Sequence, residues 1–195
     1  MANYNKKITE TNVRLGEVRF SYAHVFSPMI NPATGEQGKY SVSVLVPKED
    51  KATVKMMRDA VAAATEKGKS SKFGGKVPPR LADPIHDGDE ERPDDENYAG
   101  MYYFNASSKN RPGVRVKTHA GIIEPLEDTE FYSGCWGAID VNFYAYDFNG
   151  KKGIAAGMNN VIKTRDDERL GGGGQTADAS FADMGDSDSY EEDDF

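Results

Sequence analysis

Residues 132–163 read YSGCWGAIDVNFYAYDFNGKKGIAAGMNNVIK, two alternating runs joined by Asp147-Phe148-Asn149-Gly150. Asn-Gly between such runs predicts a tight hairpin, because a type I′ turn needs positive φ at both central residues. The period of two places Ile139, Val141, Phe143 and Ala145 on one face of the first run, and Trp136, Asp140, Asn142, Tyr144 and Tyr146 on the other. The first face is core. The second mixes rings with small polar groups, and Lys151 and Lys152 follow the turn. Rings beside cations on a β-surface are the parts of a base-stacking platform, although packing under a neighbouring element would equally use them.

Upstream, the pattern is again mostly strands. Residues 12–26 predict a first strand with Val18, Phe20 and Tyr22 on one side, and Val13 and Leu15 of opposite parity. The change of phase predicts a bulge at Gly16, of the kind that curls a sheet into a small barrel. Residues 39–47 predict a second strand with Tyr40, Val42, Val44 and Val46 inward, stopped by Pro47. Residues 49–67 predict a helix from the spacing of Val54, Met57, Val61 and Ala64, with Gly68 as its C-terminal cap. A long loop insertion, 68–100, follows. It carries Lys69, Lys72, Lys76 and Phe73, then an acidic run around Asp87-Gly88-Asp89. An aromatic-rich strand over 101–104 contains Tyr102 and Phe104, and the loop after it contains Lys109 and Arg111. In residues 113–118, Val114 and Val116 alternate with Arg115 and Lys117, two cations in register to meet a phosphate track or to guard an edge strand.

Composition limits the functions open to the chain. Its 195 residues suit one domain with appendages, and no apolar run reaches the roughly 18–20 residues of a membrane span. The polar start MANYNKKITE has no apolar stretch of a secretory leader. One cysteine, Cys135, precludes an internal disulfide and fits a reducing compartment; between Gly134 and Trp136 it reads as a small buried thiol. The net charge of −8 conceals a division. Residues 171–195 hold eight acids and no base, and residues 83–96 hold eight acids and one base, Arg92. The remainder has 23 bases against 16 acids. A basic body with acidic appendages suits a polyanion ligand held against self-competition.

These stretches resemble the single-stranded DNA-binding proteins of tailed bacteriophages, in particular a family long catalogued as a phage domain of unknown function. The resemblance spans nearly all of residues 13–174. It is most specific at PIHDGDEERPDD, at NASSKNRPGV and in the hairpin stretch with its trailing LGGGG. It implies an all-β OB-fold: a small Greek-key barrel with one α-helix. Residues 1–11 are then a flexible N-terminus, 12–170 the single-stranded DNA-binding domain, and 171–195 a Gly linker with a disordered acidic tail. It also implies binding of exposed strands in phage replication, recombination or repair, in the cytoplasm of the infected bacterium.

Pattern alone assigns the contacts. Trp136, Tyr144, Tyr146, Tyr102 and Phe104 are the expected stacking rings. Arg111, Arg115, Lys117, Lys151 and Lys152 are the expected phosphate contacts. The tail ends in Asp193, Asp194 and Phe195, a ring among carboxylates suited to docking on a partner. Bacterial tails of this type usually carry proline before the last Phe; Asp194 stands there, which directs the expectation to phage replication proteins such as a polymerase, helicase or primase. No cofactor or metal is expected. A metal-dependent nuclease using Asp87, Asp89, Glu90 and Glu91, and a strand-annealing or duplex-binding protein, are the rival readings. A monomer and a homodimer both suit a barrel of this size.

Overall fold

The structure, a computed structural model, describes residues 4–170. Among the described residues nine strands form one sheet: β1 (Lys6–Lys7), β2 (Asn12–His24), β3 (Tyr40–Pro47), β4 (His86–Asp87), β5 (Met101–Ser108), β6 (Gly113–Thr118), β7 (Gly121–Ile123), β8 (Trp136–Phe148) and β9 (Lys151–Arg165). Helix α1 (Lys51–Ser71), the single turn α2 (Gly88–Glu91) and two 3-10 turns, Glu96–Tyr98 and Asp128–Glu130, accompany them. Strands β5, β3, β2, β8 and β9 pair in that order, and β9 returns to β5 through Ala106–Ala156 and Ser107–Gly157, in parallel. The sheet therefore closes into a five-stranded barrel with one main helix, an OB-fold. Beyond β5, the same edge of β9 takes up β6, with Val114 opposite Val161 and Arg115 opposite Ile162.

The barrel is filled by the inward alternation of its strands. Leu15, Val18, Phe20, Val44, Phe104, Ile139, Val141 and Phe143 are all buried to 1 % exposure or less. Closure needs β2 to bend, and it does so at Glu17, whose φ of 55° marks the extra residue between Gly16 and Val18. A second irregularity, between Ser21 and His24, turns Tyr22 outward at φ 46°. Tyr22 thus leaves the face that the alternation shares among Val18, Phe20 and Tyr22: the simple alternation stops at Ser21. The hairpin is as the sequence predicts, with Phe148 opposite Lys151 and positive φ at Asn149 and Gly150.

Helix α1 closes one side of the barrel. Asp50 caps it, accepting from the Thr53 amide (3.0 Å) and hydroxyl (2.6 Å). The helix runs past Gly68, which is not the cap the sequence predicts; Lys72 holds that position. Gly68 instead lies tightly against β8. A β-carbon there would meet the Ala145 Cβ at 2.4 Å and the Phe73 ring at 2.7 Å.

Two further segments join the barrel. Near the N-terminus β1 pairs with β2, and Tyr4 packs over Gly16. The Gly16 amide donates to the Asn5 Oδ1 (2.8 Å), and the Asn5 amide group donates to the Thr53 hydroxyl (2.7 Å). Within the insertion, β4 pairs with β5, and the Lys48 ammonium binds Asp87 (2.5 Å) and Asp89 (2.7 Å). Hydrogen bonding to Lys48 holds both carboxyls below the usual range and holds the ammonium charged. No helix among the described residues is long and apolar enough to cross a membrane.

Candidate nucleic-acid interface

Tyr144 and Tyr146 project from the outer face of β8, as the alternation requires. Their rings lie across glycines of β9: Tyr146 against Gly153, and Tyr144 beside Gly157. At Gly153 the missing side chain is what leaves room for the Tyr146 ring; at Gly157 a β-carbon would make only ordinary contact with Tyr144. Tyr144 is 40 % exposed. Gly157 pairs with Ser107 of β5 and Ser107 with Ser41 of β3, so the Tyr144 ring adjoins the outer face of the β3–β5 pair. That pair occupies the second and third positions of the barrel, the face on which OB-folds take oligonucleotides. At the hairpin tip Lys151 and Phe148 are exposed, Phe148 to 70 %, and Lys152 is 3.5 Å from Asp147.

The other expected stacking rings are not part of this surface. Trp136 is eight residues from Tyr144 along β8, roughly 27 Å on an extended strand. It anchors the segment that follows β9. The Trp136 indole donates to Asp167 (2.7 Å), and the Arg165 and Arg19 guanidiniums lie 4.2 and 6.0 Å from its ring. Beside it Lys163 binds Asp166 (2.6 Å), and the Leu170 amide donates to the Ser133 carbonyl (2.7 Å). Hydrogen bonds from Lys163 and from the Trp136 indole hold Asp166 and Asp167, respectively, below the usual carboxylate range. Phe104 is fully buried, and so has no face free for a base. Tyr102 shares that inward face and sits half-buried between Lys48 and Arg58, 5.0 and 5.2 Å from the two charges. The pattern failed here because both faces of β5 carry rings, and Tyr103, not Tyr102 or Phe104, points outward.

The expected phosphate contacts fall into two groups. Arg115 and Lys117 are exposed on one face of β6, opposite buried Val114 and Val116. Arg115 donates to the Val114 carbonyl (2.8 Å) and lies 3.8 Å from Glu124; Lys117 donates to the Tyr4 hydroxyl (2.7 Å). Arg111, in the β5–β6 loop, lies 5.8 Å from the Phe26 ring. Lys151 and Lys152 are at the opposite end of β9, about 33 Å from the register position of Arg115. A strand touching both groups must run along the barrel.

Two residues of this face were missed. Tyr22 is 56 % exposed at the β2–β3 edge. Arg92, the lone base of the acidic insertion, lies 4.5, 5.3 and 5.6 Å from the rings of Tyr98, Tyr103 and Tyr22. Its isolation among eight acids was the available signal. Arg92 and Tyr98 thus fix the acidic insertion over Leu45 and Tyr103, at one end of the β3–β5 face. Further along, Ser43 bonds Asn105 and leaves a polar, small-residue surface.

Asp87 and Asp89, the leading carboxylates of the nuclease reading, are engaged by Lys48. Among the described residues no three His, Cys, Asp or Glu side chains converge as metal ligands. Cys135 is buried, and burial pushes its thiol up to about 11. Asp193, Asp194 and Phe195 lie outside the described residues.

The comparisons fit this geometry. The family model described as the single-stranded DNA-binding protein of Enterobacter phage Enc34 matches residues 11–195. Protein p50 of Acyrthosiphon pisum secondary endosymbiont phage 1 is 29% identical over 181 residues, covering 88% of this chain and 93% of that protein. The Enc34 protein solved in complex with single-stranded DNA superposes with a TM-score of 0.70 at 29% identity, over 85% of this chain and 96% of that one. The same Enc34 protein in another structure gives 0.67 at 27% identity, over 93% and 99%. The chain belongs to the Enc34 family of phage single-stranded DNA-binding proteins.

Proposed function

We propose that this barrel binds single-stranded DNA with little regard to sequence, in phage replication, recombination or repair within the infected host. The observation that carries the reading is the exposed Tyr144 ring, laid beside Gly157 at the border of the β3–β5 face, in a chain of this family. Bases stack on Tyr144 and Tyr146, at about 1–3 kcal/mol per base, and any base serves because each has a π-face. Lys151 and Lys152 take phosphates at the hairpin end, Arg111, Arg115 and Lys117 at the β6 end.

Residues 171–195, with eight acids and no base, compete with DNA for these cations as a tethered polyanion. When DNA takes the face, Asp193, Asp194 and Phe195 become free for a phage polymerase, helicase or primase. The test is a mobility-shift series on single-stranded DNA, duplex DNA and RNA at two salt concentrations. A clear preference for single-stranded DNA that weakens with salt supports the reading; equal or stronger duplex binding contradicts it.

A further inference from the structure

Beside Tyr22 the barrel surface opens into a cavity of about 390 Å³, outside the stacking and phosphate contacts assigned above. Its walls include Ser21, Tyr22, His24, Asn97, Tyr98 and Ser133, with Asp95 at the same opening. It lies on the outer side of β2, next to β3: Ser21 pairs with Ser43 and His24 with Ser41. It is therefore continuous with the face assigned to the DNA strand.

Three observations bear on what it holds. The first is Tyr22. Positive φ is costly for a bulky residue, and strain of that kind collects at ligand sites. Here a φ of 46° turns an aromatic ring to solvent on a strand whose inward positions are otherwise filled. Arg92 lies 5.6 Å from the same ring and backs it. The second is Tyr98. Its side chain is 1 % exposed, and its hydroxyl makes no hydrogen bond within the protein. Nearly all buried polar atoms are paired, and the exceptions ask for a partner that arrives from outside. The third is the rest of the wall. Ser21 and His24 offer a hydroxyl and an imidazole, groups that match the edge of a heteroaromatic ring.

We infer that this cavity is a base pocket: it takes one nucleobase of the bound strand, stacked on Tyr22, with its polar edge toward Ser21, His24 and Tyr98. This rests on the single-stranded DNA reading above. A base entering here brings the partner that the Tyr98 hydroxyl lacks. The competing occupant is a ring from the chain's own acidic segment, such as Phe195. A phenyl group satisfies neither the hydroxyl nor the imidazole, and its flanking Asp193 and Asp194 would approach Asp95. The chemistry favours the base.

The test uses the full chain and short oligo-dT carrying a single 2-aminopurine at successive positions. In the unmodified protein one position gives a fluorescence change distinct from its neighbours. Tyr22→Ala abolishes that distinction and weakens binding about fivefold or more. Tyr98→Phe removes an unpaired hydroxyl, so its melting temperature stays equal or rises, while affinity falls about threefold or more. If the unmodified protein does not bind the oligonucleotide, the DNA reading itself fails. If it binds and both variants match it, the pocket is not in the strand's path and this inference is overturned. A gain in affinity for Tyr22→Ala also overturns it, because loosening a competing tail would produce that sign.

Discussion

Tyr146 lies so close over Gly153 of the neighbouring strand that a β-carbon at Gly153 would come within 2.6 Å of the phenol oxygen and 2.8 Å of Cζ. The same atom would meet the Ala82 Cβ at 2.8 Å. Gly153→Ala therefore displaces the ring and the loop beneath it, at a cost of about 1–3 kcal/mol. At Gly157 the nearest atoms are 3.5 Å away, the Asn142 carbonyl and Tyr144 Cε1, which is ordinary contact. Thermal melting of the two alanine variants should show a clear loss for Gly153 and little change for Gly157.

Gly68→Ala inverts the usual helix rule. In an exposed helix interior this change stabilises by about 1 kcal/mol. Here the added methyl meets Ala145 of β8 and the buried Phe73 ring of the turn after α1. Net destabilisation is expected, of about 1 kcal/mol or more. A denaturant midpoint equal to or above that of the parent would show that the helix can lift from β8 at no cost.

Ring burial separates two variants that the sequence alone treats alike. Tyr144→Ala leaves the melting temperature nearly unchanged and lowers oligo-dT affinity by about fivefold or more. Phe104→Ala empties the barrel core and costs about 3–5 kcal/mol of stability. Calorimetry beside a binding titration distinguishes them. Equal melting losses in both variants would place Tyr144 in the core.

The segment after β9 gives the fold an acid-sensitive anchor. The Asp166 carboxyl is depressed chiefly by its hydrogen bond from Lys163, and that of Asp167 by its bond from the Trp136 indole. A depressed carboxyl stabilises the fold above its unfolded value, near 3.8, and the contribution fades as pH falls through the lower folded value. The loss therefore belongs below about pH 4. Trp136 fluorescence followed from pH 6 to 2 should report release of the segment. Asp167→Asn should start less stable at neutral pH and show a shallower acid dependence. An identical acid profile for parent and variant would remove Asp167 from the anchor.

How much of this was legible depended on whether one face of a strand was plainly apolar. β8 alternates cleanly, so its hairpin, its core residues Ile139, Val141 and Phe143, and its outward tyrosines could all be read. β5 could not, because Tyr102, Tyr103 and Phe104 are consecutive rings and only closure against β9 sets which face is interior. Tyr22 was misplaced because the irregularity after Ser21 is set by pairing with β3, not by local sequence. Trp136 looked like a platform residue, but its indole is taken by Asp167, 31 positions away. The acidic insertion was legible as charge. That Lys48 and Arg92 would fix it to the barrel was not, since those contacts bridge distant parts of the chain.

The central claim is that rings supply base stacking while separate cations neutralise phosphates on one outer surface. Titration of the full chain with oligo-dT over a series of salt concentrations tests it most directly, in parallel for the parent, Tyr144→Ala and Lys151→Ala. The account predicts a linear fall of log affinity with log salt for the parent. Tyr144→Ala should lie below it with the same slope, and Lys151→Ala should have a slope shallower by about 0.7. Salt-independent binding, or two variants indistinguishable from the parent in both affinity and slope, would contradict it.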